Sequence, residues 1–122
     1  MRILFVENHE VFAAVVGEKF LAAHEVVVVP SLAGARASLA AQRYDAILLD
    51  FDLDDGKGVE LAVELRAAGD ATPIIAVSAR EDGNQKLITA GANAAVSKLE
   101  FGKIGTVLSS LVSGLGPSPA RA

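Results

Sequence analysis

Five polar residues of this 122-residue chain stand just behind short apolar runs, and together they form one chemical set. Glu7 and Asn8 follow residues 3–6, Asp50 follows 46–49, Ser78 follows 74–77, and Lys98 comes at the end of the run that starts at 94. Two carboxylates and an amide oxygen are hard donors suited to Mg²⁺, an ion that keeps several waters and takes one or two protein carboxylates. A hydroxyl and an ammonium complete a set suited to a phosphoryl group. Asp50 would be the nucleophile, the metal and Lys98 would neutralise the equatorial oxygens, and Ser78 would donate to one of them. Taken singly, each has a plainer explanation: Lys98 a surface lysine, Ser78 a helix N-cap, Asp50 a loop cap, Glu7-Asn8 a turn. The chemistry therefore requires elements that bring all five to one rim, with Asp50 in reach of solvent.

The apolar runs 3–6, 26–29, 46–49, 74–77 and 94–96 do not alternate with polar residues. Such runs belong to strands covered on both faces, the usual condition of a parallel sheet. Helical spacing separates them: Phe12, Val15, Val16 and Phe20; then Leu32, Ala35 and Leu39; then Leu61, Leu65 and Ala68; finally Ile104, Val107, Leu108, Leu111, Val112 and Leu115. Ser31 is an N-cap before the second helix, and Gly69 and Gly91 stand where helices should stop. Five βα units predict a doubly wound α/β domain, a five-stranded parallel sheet with helices on both faces. Ligands of such folds bind outside the carboxyl ends of the strands. The domain is expected over residues 1–115, with 116–122 a disordered tail.

Composition narrows the function. Apolar residues make up 52% and charged residues 21%, enough for a real core. A net charge of −4 and a pI near 5.1 argue against nucleic acid as a partner. The absence of cysteine excludes disulfides and thiolate metal sites and fits a cytoplasmic setting. No run is long enough for a signal peptide or a membrane span. His9 and His24 are expected to face solvent and lack metal-site spacing. The acidic stretch from Asp50 to Gly56 fails as an EF-hand loop, since its glycine comes one place late and its twelfth position is Leu61. An acid pair of the haloacid-dehalogenase kind, Asp50 with Asp52, belongs after a first strand rather than a third.

In order and spacing these motifs resemble the response-regulator receiver family, the CheY-like domains, from Arg2 to about Val112. The resemblance is carried by Glu7-Asn8, by Tyr44 to Asp50, by Asp55-Gly56-Lys57-Gly58, by Pro73 to Ala79, and by Ala90 to Ala94 leading to Lys98. It implies a flavodoxin-like strand order 2-1-3-4-5. It also implies phosphotransfer to Asp50 from a histidine kinase or histidine phosphotransfer protein, with Mg²⁺ held by Glu7, Asn8, Asp50 and the backbone carbonyl of Asp52. Output would pass through a downstream target protein, and with no helix-turn-helix pattern following, a free-standing relay or adaptor is expected. Catalysis would be confined to this self-catalysed transfer and the loss of the group.

The chain departs from the family pattern at several points. Asn8 stands where a second acid is usual and lacks the charge that attracts a cation. A unit charge pair at ~4 Å is worth about 4 kcal/mol at an effective dielectric near 20, before desolvation offsets much of it. Ala95 replaces a common aromatic residue, Leu99 the proline after the lysine, and Asp54 a proline of the loop. The segment from Ser78 to Lys98 is about two residues short, which predicts a shortened or reorganised fourth helix. That helix carries Gly83 and few large apolar side chains, so it is expected to be loosely held. Asp52 and Arg80 are placed to pair across the pocket mouth. These departures motivate the alternative, a receiver-like protein interaction module that does not use phosphorylation.

Overall fold

The computed structural model describes residues 1–115, and the expected disordered tail lies outside the described residues. Strands and helices alternate: β1 (Arg2–Val6), α1 (Glu10–Phe20), β2 (Glu25–Val29), α2 (Leu32–Ala41), β3 (Ala46–Leu49), α3 (Gly58–Ala67), β4 (Ile74–Ser78), α4 (Glu81–Ala90), β5 (Ala94–Ser97) and α5 (Ile104–Leu115). The sheet is parallel throughout, in the order β2-β1-β3-β4-β5, as the sequence predicts. Two short pieces complete it. An antiparallel ribbon pairs Asp52–Leu53 with Gly56–Lys57, and a 3₁₀ turn spans Lys98–Lys103.

The unbroken apolar strands make two cores, because successive side chains point to opposite faces. Ile3, Phe5, Ala46, Leu48, Ile75 and Val77 pack under α1 and α5, while Leu4, Val6, Ile47, Leu49, Ile74 and Ala76 pack under α2, α3 and α4. All twelve are buried, so the inner strands carry both cores. Register sets where they end. Val6 lies beside Val29 and Leu49, Leu49 beside Ala76, and Ser78 beside Ser97, so the residues that follow emerge on one edge.

Two local expectations are corrected. In α1 the buried positions are Ala13 and Val16, whereas Val15 is 55% exposed and Phe20 lies at the margin. Small Ala13 lets the helix sit close to the sheet, and the contact stripe centres there rather than on Val15. In α3 the buried residues are Gly58, Leu61 and Ala62, and Ala68 caps the helix exposed at its C-terminus. Helix α4 keeps ten residues, as many as α2 and α3, and its first turn is tightly packed. A glycine inside a helix ordinarily costs about 1 kcal/mol. Here a Cβ at Gly83 would lie 3.0 Å from Ser78 Oγ and 3.2 Å from Phe51 Cβ, so glycine is what allows α4 to press on the end of β4. The 3₁₀ turn after Lys98 is anchored by Phe101, whose ring lies 6.0, 5.6 and 5.9 Å from those of Phe5, Phe12 and Phe20.

Candidate functional site

The backbone ladder runs one residue past β1 and β3. Glu7 N donates to Val29 O (2.9 Å) and Asp50 N to Val6 O (3.0 Å), which fixes the two acids side by side on adjacent strands. The loop beyond Asp50 folds back against it. Gly58 N donates to Phe51 O at 2.7 Å, and a Cβ at Gly58 would meet the Asp50 carbonyl oxygen at 2.0 Å, so no side chain fits. Asp55 pins the same loop to the N-terminus of α2, accepting from Leu32 N (2.7 Å) and Ala33 N (3.0 Å). Those amide bonds hold its carboxyl below the usual range, as expected for a carboxylate at helix amides.

Lys98 joins the acids. Its Nζ donates to Glu7 Oε2 at 2.9 Å and to Asp50 Oδ2 at 3.2 Å, and it lies 4.9 Å from the centre of the Phe12 ring. Glu7 is 1% exposed and Asp50 4%, so one ammonium serves two desolvated carboxylates. Burial foremost, and then the negative charge of Glu7, push the Asp50 carboxyl up to about 6 against the pull of Lys98. The other Asp50 oxygen, Oδ1, accepts from Phe51 N at 2.8 Å. Asp50 is thus nearly covered, where the sequence reading needs it in reach of solvent. From Asp50 Oδ2 the contacts lead outward through Lys98 Nζ to the exposed ring of His9, so at least part of its cover is side chain.

His9 is a pocket residue whose inward contacts the sequence does not foretell. The ring does face solvent, but Nδ1 turns inward, 3.1 Å from Glu7 Oε2 and 3.2 Å from Lys98 Nζ. The signal was its place one residue beyond the Glu7-Asn8 pair, where the chain turns into α1. Asn8 shows a second unforeseen link: its Nδ2 donates to Asp54 Oδ1 at 3.3 Å, so two departures from the family pattern are partners. Ser78 reaches the same edge but stays apart from the acids. Its Oγ accepts from Arg80 N at 3.2 Å, its carbonyl accepts from Asn84 Nδ2 at 3.3 Å, and no hydrogen bond joins it to Asp50 or Lys98 among the described residues. The expected Asp52–Arg80 pair does not form. Asp52 binds Lys57 across the ribbon, and Arg80 binds Asp82 at 2.8 and 3.1 Å, because each finds an opposite charge nearer along its own segment.

The donor set fits a small divalent cation. Glu7 Oε1 and Asn8 Oδ1 are buried with no hydrogen-bond partner, an arrangement that costs free energy unless something positive meets them. One carboxylate oxygen each from Glu7 and Asp50, with a ring nitrogen of His9, lie within 4.8 Å of one another.

A doubly wound α/β domain with an acid pocket at the carboxyl ends of its central strands is the class that fold and site define. Residues 3–104 match the response regulator receiver domain, and the chain belongs to that family, the receiver domains of two-component systems. Over 82 residues, 66% of the chain, it is 35% identical to the swarming motility regulation protein RssB of Serratia marcescens, of which it spans only 37%. The receiver domain of the TMAO respiratory response regulator TorR is 31% identical, with a TM-score of 0.82 over 92% of this chain and 96% of that one. The receiver domain of the sensor histidine kinase PA1611 of Pseudomonas aeruginosa PAO1 is 29% identical, with a TM-score of 0.82 over 92% and 97%, and carries a magnesium ion coordinated in its active site cleft. No helix among the described residues is long and apolar enough to cross a membrane.

Proposed function

We propose that Asp50 accepts a phosphoryl group from the phosphohistidine of a histidine kinase or histidine phosphotransfer protein, and that a downstream protein reads the change. The observation that carries this reading is the Lys98 ammonium held by Glu7 and Asp50 at the carboxyl edge, beside two buried oxygens without partners. An Asp50 carboxylate oxygen forms the new O–P bond as the donor's N–P bond breaks, and the imidazole leaves with the electron pair. Lys98 leaves the carboxylates for the phosphoryl oxygens, which uncovers Asp50 and neutralises the incoming charge. Ser78 takes its amide contact as an acceptor, so its O–H remains available to donate to a phosphoryl oxygen. Glu7, Asn8, Asp50 and the backbone carbonyl of Asp52 would hold Mg²⁺, which when bound supplies positive charge against the acid pair and the phosphoryl group.

The test is incubation with Mg²⁺ and acetyl phosphate, followed by intact-mass measurement. A single phosphoryl adduct that is absent from Asp50→Asn is the expected result. No adduct, and no Asp50-dependent chemical-shift change with beryllofluoride, would leave the interaction module that works without phosphorylation.

A further inference from the structure

His9 has no part in the reaction above and little in the fold. It is the N-cap of α1, yet its side chain makes no capping hydrogen bond, so the ring is not held there by helix structure. What holds it is the pocket. Its backbone N donates to Glu7 Oε2 at 3.1 Å, and Nδ1 lies 3.2 Å from an ammonium, a position where positive charge is already placed.

We infer that this pocket is a mixed nitrogen and oxygen site that selects a divalent transition ion of the Co²⁺, Ni²⁺ or Zn²⁺ kind over Mg²⁺, with His9 Nδ1 as third ligand beside Glu7 and Asp50. The inference rests on the reading that a divalent cation binds at the acid pocket. Three observations converge on it. The three ligand atoms lie within 4.8 Å of one another, close to the ~3–4 Å that separates donors bound at about 2.1 Å to one ion, so small side-chain rotations complete the site once the Lys98 ammonium, which contacts all three residues, withdraws. Glu7 Oε1, on a residue 1% exposed, has no partner, which leaves a buried anionic oxygen for a cation. The donor chemistry then decides between ions. Carboxylate, carbonyl and water suit Mg²⁺, whereas an imidazole nitrogen adds affinity for Co²⁺, Ni²⁺ and Zn²⁺ and almost none for Mg²⁺.

The measurement is a Co²⁺ titration by visible absorption and a Mg²⁺ titration by calorimetry, both in a His24→Ala background. That background removes a competing site, since His24 Nδ1 lies 3.2 Å from the Met1 amine, on the far edge of the sheet. Adding His9→Ala should lower Co²⁺ affinity by about tenfold or more and change Mg²⁺ affinity by less than about twofold. With His9 intact, Co²⁺ should shift and broaden its ring protons in NMR spectra at the first equivalent, a readout that needs no His9 variant. An unmoved ratio of Co²⁺ to Mg²⁺ affinity, or ring signals untouched by bound Co²⁺, would overturn the assignment. Asp50→Asn separates the two levels. If it leaves both affinities intact, the cation reading itself fails; if both fall while His9→Ala leaves the ratio unchanged, only the selectivity fails.

Discussion

The two halves of the strand-end rim are built differently. On the β1–β3 side, Glu7, Asp50, Lys98 and His9 are tied to one another across as many as 91 residues of sequence, and the charges there are buried and unbalanced. On the β4 side, Ser78, Arg80, Asp82 and Asn84 hydrogen-bond to one another within six residues; Asn84 Oδ1 is buried without a partner, but it is neutral, and the Arg80–Asp82 ion pair lies exposed. The first half stores electrostatic free energy that a cation can release. The second half carries no buried ion pair, and Ser78 is held by its own loop. Desolvation makes the difference, because the same ion pair is worth little at the surface and much more, of either sign, when buried.

The sharpest way to break this contrast is to remove Lys98. Lys98→Met leaves two buried carboxylates without their cation and should destabilise the domain by about 3 kcal/mol in urea unfolding with chelator present. Millimolar Mg²⁺ should restore part of the loss, since an ion that binds only the folded state stabilises it. An equal loss with and without Mg²⁺ would show that no bound cation takes the place of the missing ammonium.

Next in size is Asp50 itself. Its folded carboxyl keeps its proton up to about pH 6, whereas the ordinary value is 3.8. Between pH 4 and 6 the folded state therefore binds more protons than the unfolded chain, and stability falls as pH rises through that window. Asp50→Asn should abolish the decline, making the metal-free variant about 2 kcal/mol more stable than wild type at pH 7 once solvent screening is allowed for, and equally stable below pH 4. Parallel stability curves for the two proteins from pH 4 to 7 would refute the picture of a strained pocket.

What the sequence made legible follows the same division. The fold was readable because unbroken apolar strands admit few arrangements, and the rim because Glu7, Asn8, Asp50, Ser78 and Lys98 sit at strand ends that a parallel sheet must align. Side-chain direction was not readable. His9 looked solvent-facing by type and lack of partner spacing, yet a turn after β1 aims Nδ1 inward. Arg80 and Asp52 looked complementary across the mouth, but local partners were nearer. The close approach of Gly83 to Ser78 Oγ was likewise not readable, because it depends on how α4 docks on the end of β4.

On the quieter half the effects are smaller. Ser78→Ala removes one acceptor for the Arg80 amide and should cost about 1 kcal/mol of stability, with the Asp50 pH dependence unchanged. A larger cost, or an altered pH dependence, would mean that the two halves are coupled before any ligand arrives.

The smallest expected effect tests how Asn8 stands in for an acid. Asn8→Asp adds a charge beside any bound cation, but it also sets a carboxylate against Asp54 Oδ1, where an amide now donates at 3.3 Å. Repulsion therefore offsets part of the gain, and Mg²⁺ affinity should rise by less than about tenfold, ~1 kcal/mol. Adding Asp54→Asn restores a donor opposite the new carboxylate, so the double variant should bind Mg²⁺ more tightly than Asn8→Asp alone, while Asp54→Asn alone gains nothing. That pattern is non-additive in the sense expected of residues in contact. Additive affinities across the four proteins would mean that Asp54 does not hold the Asn8 amide.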